Sequence, residues 1–139
     1  MIHFEYHQKG HEGVTNVLRD TARRAPKEMS DTTFLWAARN VLPRLQRKPY
    51  PPKRPRQTYV RTGQLGRGWN VRPTTGGATI FNNRPGVIFT TGDGQGGGQA
   101  RMHVGRWWLA ADVIRNERKT LGPMLVNRLN KMLTPGAGR

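Results

Sequence analysis

Cysteine is absent, which removes disulfides, thiolate catalysis and Cys-bound zinc or iron–sulfur clusters. Acidic residues are scarce, with 8 Asp+Glu against 24 Lys+Arg in 139 residues and a formal net charge of +16. Glycoside hydrolysis by paired carboxylates and two-metal nuclease chemistry both lack raw material in such a chain. Ser30 is the single serine, so a serine nucleophile is disfavoured. No apolar run approaches the roughly 18 residues of a membrane span, so no membrane contact is expected. The opening MIHFEYHQKGHEG has no basic segment followed by an apolar one, and no signal peptide is expected.

What the chain does have is positive charge, unevenly placed. Between Asp31 and Asp93 there is no acid, while Arg39, Arg44, Arg47, Lys48, Lys53, Arg54, Arg56, Arg61, Arg67, Arg72 and Arg84 fall in that stretch. Local ion pairs cannot neutralise such a segment. It needs phosphates, an acidic protein or solvent. Eighteen of the 24 basic residues are Arg, whose planar fork grips phosphate or carboxylate with two bonds. A solvated basic face is the plain alternative, but self-repulsion of this size favours a partner.

Periodicity organises the rest. Met1–His7 alternates, with Ile2, Phe4 and Tyr6 on one face, the pattern of a half-buried strand. Val14, Val17, Leu18 and Ala22 predict a helix from about Glu12 to Arg24. Pro26 can open a second helix, with Phe34, Ala38, Val41 and Leu45 on its apolar face. Pro43 should kink or end it. Four prolines between 49 and 55 then predict an extended segment over 48–56, within a basic Pro-rich arm over 48–67. Gly68–Arg72, Ala78–Asn82 and Val87–Thr91 read as three short strands separated by turn compositions. The 92–105 stretch is a Gly-rich loop. Trp107–Met132 reads as a helix that Gly122-Pro123 should break or bend, and 134–139 as a frayed tail. The expected fold is therefore α+β: one domain over 1–133 with an N-terminal strand, two helices, a three-stranded antiparallel meander and a C-terminal helix packed on one sheet face.

Few side chains offer chemistry. His3, His7 and His11 are four apart, but the strand pattern and the glycines oppose one helix through them, and no further ligand completes a metal site. His103 has no sequence partner for catalysis. The glycines of Gly63-Gln-Leu-Gly66-Arg-Gly68 lack P-loop and Rossmann spacing and suit a positive-φ turn into the Trp69 strand. No cofactor is expected. Trp69, Trp107 and Trp108 read as core or subunit-interface packing. Adjacent Trp107 and Trp108 cannot both face inward on one helix, so one is a candidate subunit contact. Tyr50 and Tyr59 flank the arm as candidate stacking platforms.

The run Tyr59-Val-Arg-Thr-Gly-Gln-Leu-Gly-Arg-Gly-Trp-Asn-Val71, with Tyr50-Pro-Pro52 before it and Ala78–Asn83 and Pro85–Gly92 after it, resembles the Thr-Gly-x-Leu segment and following strands of small neck and tail-completion proteins of tailed bacteriophages. The resemblance covers about 50–111 in motif and the rest in element order. The GDGQGGGQ insertion and Trp107-Trp108 depart from it. It implies a structural protein of the virion with no catalytic site, assembled as a ring at the head–tail junction.

The expected function is thus a connector subunit, in six or twelve copies, bound to portal or adaptor and tail proteins around double-stranded DNA. Arg47, Lys48, Lys53, Arg54, Arg56, Arg61 and Arg67 would face the DNA or an acidic partner. Phe4, Trp69, Trp107 and Trp108 would serve the subunit interface. Two other classes use the same residues: a monomeric RNA-binding module of ribosome-associated type, and a small nuclease or toxin, for which no catalytic pair is visible.

Overall fold

The computed structural model describes residues 11–58, 61–92 and 98–134. The expected strand at Met1–His7 and the tail from 135 lie outside the described residues. Within them the fold is mixed α+β. A long helix, α1 (His11–Trp36), runs into a π-helical turn (Ala37–Val41) and then α2 (Leu42–Arg47). A short α3 (Gln64–Arg67) precedes strands β1 (Trp69–Thr74) and β2 (Gly77–Asn82). A short α4 (Val87–Thr91) and the long α5 (Ala110–Leu133) complete it.

The predicted break at Pro26 does not occur, because Pro26 lies inside α1. Tertiary contact makes up for its missing N–H: α1 lies along α5 and on both strands. Pro43 does act. It cannot donate to the Arg39 carbonyl four residues back, and its ring crowds that oxygen. The helix widens by one residue per turn just before it, and the Leu42 N–H donates to the Ala37 carbonyl five residues back. Such π-turns relieve a local clash without ending the helix.

The wider turn changes which residues face inward. Ala37, Val41 and Leu45 are buried at a spacing of four that a 3.6-residue helix would let drift, and Trp36 beside Ala37 is buried as well. Of the expected face, Val41 and Leu45 are buried, while Phe34 and Ala38 are only half-buried and Leu35 is exposed. Trp36, which the periodicity reading missed, is central. Its indole N–H donates to Thr120 Oγ1 at 2.9 Å, tying α1 to α5. Trp69, Ala110 and Val113 close the cluster, with Ile80, Trp108, Ile114, Leu121 and Met124 packed around it.

The sheet has two strands rather than three. β1 and β2 pair antiparallel from Trp69↔Asn82 to Thr74↔Gly77, leaving Thr75-Gly76 as the turn. The expected third strand, Val87–Thr91, is α4. Gly86 enters it at φ 78°, a left-handed start that turns the chain away from β2. Thr90 and Thr91 then bond their hydroxyls back to the Val87 carbonyl, and Thr91 is fully buried. The β-branched residues that signalled a strand are satisfied locally instead. The last helix starts at Ala110, not Trp107, and continues through Pro123.

The hairpin tip rests on α1. Ser30 Oγ donates to the Thr74 carbonyl at 2.8 Å, and a side chain at Gly77 would sit 3.1 Å from Thr33 Cγ2. Its base meets α2, where Gln46 Nε2 donates to the Trp69 carbonyl. Gly66 of α3 packs so tightly that an added Cβ would lie 2.7 Å from the Gln46 carbonyl oxygen.

Two stability measurements check this packing. Leu45→Ala, at a fully buried site, should cost about 2–5 kcal/mol in denaturant unfolding. Gly66→Ala should destabilise by more than about 1 kcal/mol, whereas Gly76→Ala, with open space around it, should be near neutral. Equal effects of the two glycine changes would refute the close approach.

Candidate nucleic-acid and acidic-partner surfaces

The prolines leave the chain without helix or strand from Lys48 to Arg54, but the expected arm turns at Pro55-Arg56, with Arg56 at φ 67°, its last four residues are α3, and it is not loose. Arg61 reaches back under it and donates to the Pro51 and Pro52 carbonyls and to Gln57 Oε1. Its guanidinium lies 5.8 Å from the Tyr50 ring centre and 5.7 Å from that of Trp107. These two rings meet edge to face at 5.4 Å. Two further arginines close the clamp: Arg106 donates to the Pro52 carbonyl at 2.6 Å, and Arg54 to the Met102 carbonyl at 2.7 Å. Proline leaves carbonyls with no competing N–H beside them, and arginine has five donors to give.

This clamp keeps the arm's charge. Every partner is a carbonyl or an amide oxygen, so the guanidinium groups are held in place without being neutralised. Among the described residues no carboxylate pairs with Lys48, Lys53, Arg54, Arg56, Arg61 or Arg67. The ion pairs lie elsewhere: on α1 at Arg24–Asp20 and Lys27–Asp31, between the long helices at Arg128–Glu28, between α2 and α5 at Arg44–Glu117, and within α5 at Arg115–Asp112.

The sequence-predicted cations therefore divide. Lys53, Arg54 and Arg56 are exposed along the outer edge of the arm. Arg54 and Arg56 flank a shallow hollow of about 280 Å³ shared with His103 and Arg106. Arg61 is half-buried and structural in its contacts. Arg67 is exposed and donates to the Thr62 carbonyl. The preceding Gly63 has the positive φ, 73°, expected of that segment. Arg47 and Lys48 lie at another place, a groove between α2 and α5 that Arg39 and Arg44 also line. The groove was not legible as a site because its far wall is contributed by α5, some 70 residues later.

The tryptophans face the interior. Trp69 and Trp107 are buried, and Trp108 packs on Trp69 at 6.4 Å between ring centres. Both Trp107 and Trp108 turn inward because they precede α5 rather than belong to it. Trp107 faces the arm and Trp108 the hairpin. Gln99 holds this bend by donating to both the Thr90 and the Trp107 carbonyls. Phe4 is outside the described residues. Large apolar side chains that face outward include Val14 and Leu18 of α1, Ile88 and Phe89 of α4, Met102 and Val104, and Val126 of α5.

His103 stands edge-on to Trp107 at 5.9 Å, and its Nδ1 is buried without a partner. Burial first, then the Arg106 and Arg54 charges, lowers its pKa below the ordinary histidine value. No group of three or more His, Asp or Glu that could hold a metal occurs among the described residues. No helix there is long and apolar enough to cross a membrane.

Two outcomes follow from the clamp. Arg61→Lys keeps the charge but loses the fork and the stacking, so trypsin should cut after Lys53 and Arg56 faster than in the parent chain, Pro55 blocking the bond after Arg54. An unchanged cleavage rate would show that the arm is held by other contacts. A depressed histidine pKa means the folded protein binds fewer protons than the unfolded chain, so stability falls as pH drops through the unfolded value of about 6.5 and levels off below the folded one. The Tm of the parent should therefore fall more between neutral and mildly acidic pH than that of His103→Gln.

Compared with protein-family models, with curated proteins and with solved structures, the chain finds no match in any of the three.

Proposed function

We propose that the chain is a structural, non-catalytic subunit of a bacteriophage head–tail connector (neck) or tail-completion ring. In this reading it sits in the virion at the head–tail junction, joining the portal or adaptor side to the tail in a ring of six or twelve copies around double-stranded DNA. The observation that carries it is the fixed cationic edge of the arm. Lys53, Arg54 and Arg56 are exposed, without carboxylate partners among the described residues, on a segment pinned to the body by Arg54, Arg61 and Arg106. A pre-ordered cationic edge meets a polyanion without first losing the freedom of a loose tail, and repeated around a ring it lines a channel with charge that ignores base sequence. The exposed apolar residues of α1 and α4 offer separate surfaces for neighbouring subunits.

The resemblance of 50–111 to phage neck and tail-completion proteins supports the same reading. So does the fold, since a two-stranded hairpin cradled by long helices provides a rigid frame rather than a cleft with convergent acid–base groups.

Salt titration tests the arm. Each neutralised phosphate contributes about −0.9 to the slope of log K against log salt, so Lys53→Ala/Arg54→Ala/Arg56→Ala should flatten the slope for duplex DNA by up to about 2.7. An unchanged slope rejects the DNA-facing arm. Light scattering of the purified chain, alone and with a partner ring, tests the assembly. A closed multi-copy species supports the connector, and a stable monomer that binds RNA tightly instead supports the ribosome-associated module.

A further inference from the structure

The groove between α2 and α5 is a second cationic surface with a different shape. It is an open concavity of about 690 Å³ lined by Arg39, Arg44, Arg47 and Lys48 on one side and by Asn116 and Glu117 on the other, over Pro43, Pro49 and Val113. Glu117 is its single acid and is committed to Arg44 at 3.3 Å. Arg39, Arg47 and Lys48 are exposed and have no carboxylate partner among the described residues. From Arg39 to Arg47 is eight residues, about 12 Å along a helix, which matches roughly four residues of an extended peptide at about 3.3 Å each.

From this geometry we infer that the groove binds an extended, acidic segment of a partner protein, with Asp or Glu side chains on Arg39, Arg47 and Lys48. The shape decides between polyanions. A DNA duplex is a convex rod too wide to enter a concavity of this volume, and it offers nothing apolar to the proline and valine floor. A peptide offers both: its carboxylates pair with the guanidinium forks, and its aliphatic carbons cover Pro43, Pro49 and Val113. Its backbone amides find donors and acceptors in Asn40 and Asn116, which also line the groove. The inference deepens the connector reading by naming the chemistry of one protein partner, and it rests on that reading only for where such a partner sits.

Fluorescence anisotropy with a short labelled peptide of alternating Glu and Gly tests it, with a Gln–Gly peptide as the uncharged control. Arg39→Glu/Arg47→Glu should weaken binding of the Glu–Gly peptide by roughly tenfold or more, while Lys53→Ala/Arg54→Ala/Arg56→Ala should leave it within about twofold. Parent-like peptide binding by the groove variant overturns the inference. So does displacement of the peptide by duplex DNA when the arm triple variant is used, since that outcome assigns the groove to nucleic acid. Should the groove variant fail to fold, amide-shift mapping on the unaltered chain decides: peptide-induced shifts at Asn40, Arg47, Lys48 and Asn116 support the groove, and shifts confined to the arm overturn it. A chain that proves monomeric yet binds the peptide here sinks the connector and leaves the groove standing. A ring-forming chain that ignores the peptide does the reverse.

Discussion

The Pro43 nitrogen has no proton to give, and much of the molecule is arranged around that lack. An internal proline deprives a helix of one backbone hydrogen bond and crowds the carbonyl four residues back. Here the helix widens, with the Leu42 N–H reaching the Ala37 carbonyl, and α2 continues for another six residues. Widening keeps Ala37, Val41 and Leu45 in one buried file, with Trp36 buried beside Ala37. It also leaves Arg39 outside, in line with Arg47 along the groove. One missing hydrogen bond thus sets the phase of both the core and a charged surface.

The arm shows the same economy with a different group. Prolines at 49, 51, 52 and 55 remove backbone donors, and the Pro51 and Pro52 carbonyls accept from Arg61 and Arg106, while Arg54 bonds the Met102 carbonyl. Had carboxylates held these arginines, the arm would be just as ordered and much less positive. Fastening cations through neutral acceptors separates position from charge. That is how a chain with this net charge keeps a defined surface instead of expelling its basic segment into solvent. The cost falls on Tyr50 and Trp107, whose rings flank the Arg61 guanidinium and are thereby lost to base stacking.

How much of this the sequence discloses depends on the distance over which each feature is decided. The long helices, the start of the arm, the hairpin and the left-handed Gly63 are local matters of periodicity, proline content and glycine, and they are legible. The third strand is not, because Val87–Thr91 carries strand-forming residues whose fate is settled by the Gly86 turn before it and by threonine hydroxyls bonding back to Val87. The burial of Trp36 is hidden for a related reason: a 3.6-residue template cannot anticipate a wider turn. Trp107 and Trp108 mislead by adjacency. Two neighbours on a helix diverge by about 100°, but two neighbours on extended chain point to opposite sides, and here each side is interior. The clamp joins Arg106 to Pro52 across 54 residues, and the groove joins α2 to α5. No window of sequence contains either.

The two cationic surfaces are better understood together than apart. Net charge alone would let a polyanion settle anywhere on this protein, so selection among partners has to come from shape. The arm presents Lys53, Arg54 and Arg56 along an exposed edge, the last two beside a shallow hollow. The groove sets the exposed Arg39, Arg47 and Lys48 beside Pro43, Pro49 and Val113 in a concavity, where a narrow chain fits better than a broad one. A duplex on the groove would leave those cations desolvated and short of phosphate, which is unfavourable. A single peptide on the arm's edge would pair with a few charges and bury little apolar area. Each surface therefore disfavours the other's ligand. The proposed connector role would have that requirement built in, because such a subunit would hold DNA on one side and protein on another with basic residues on both.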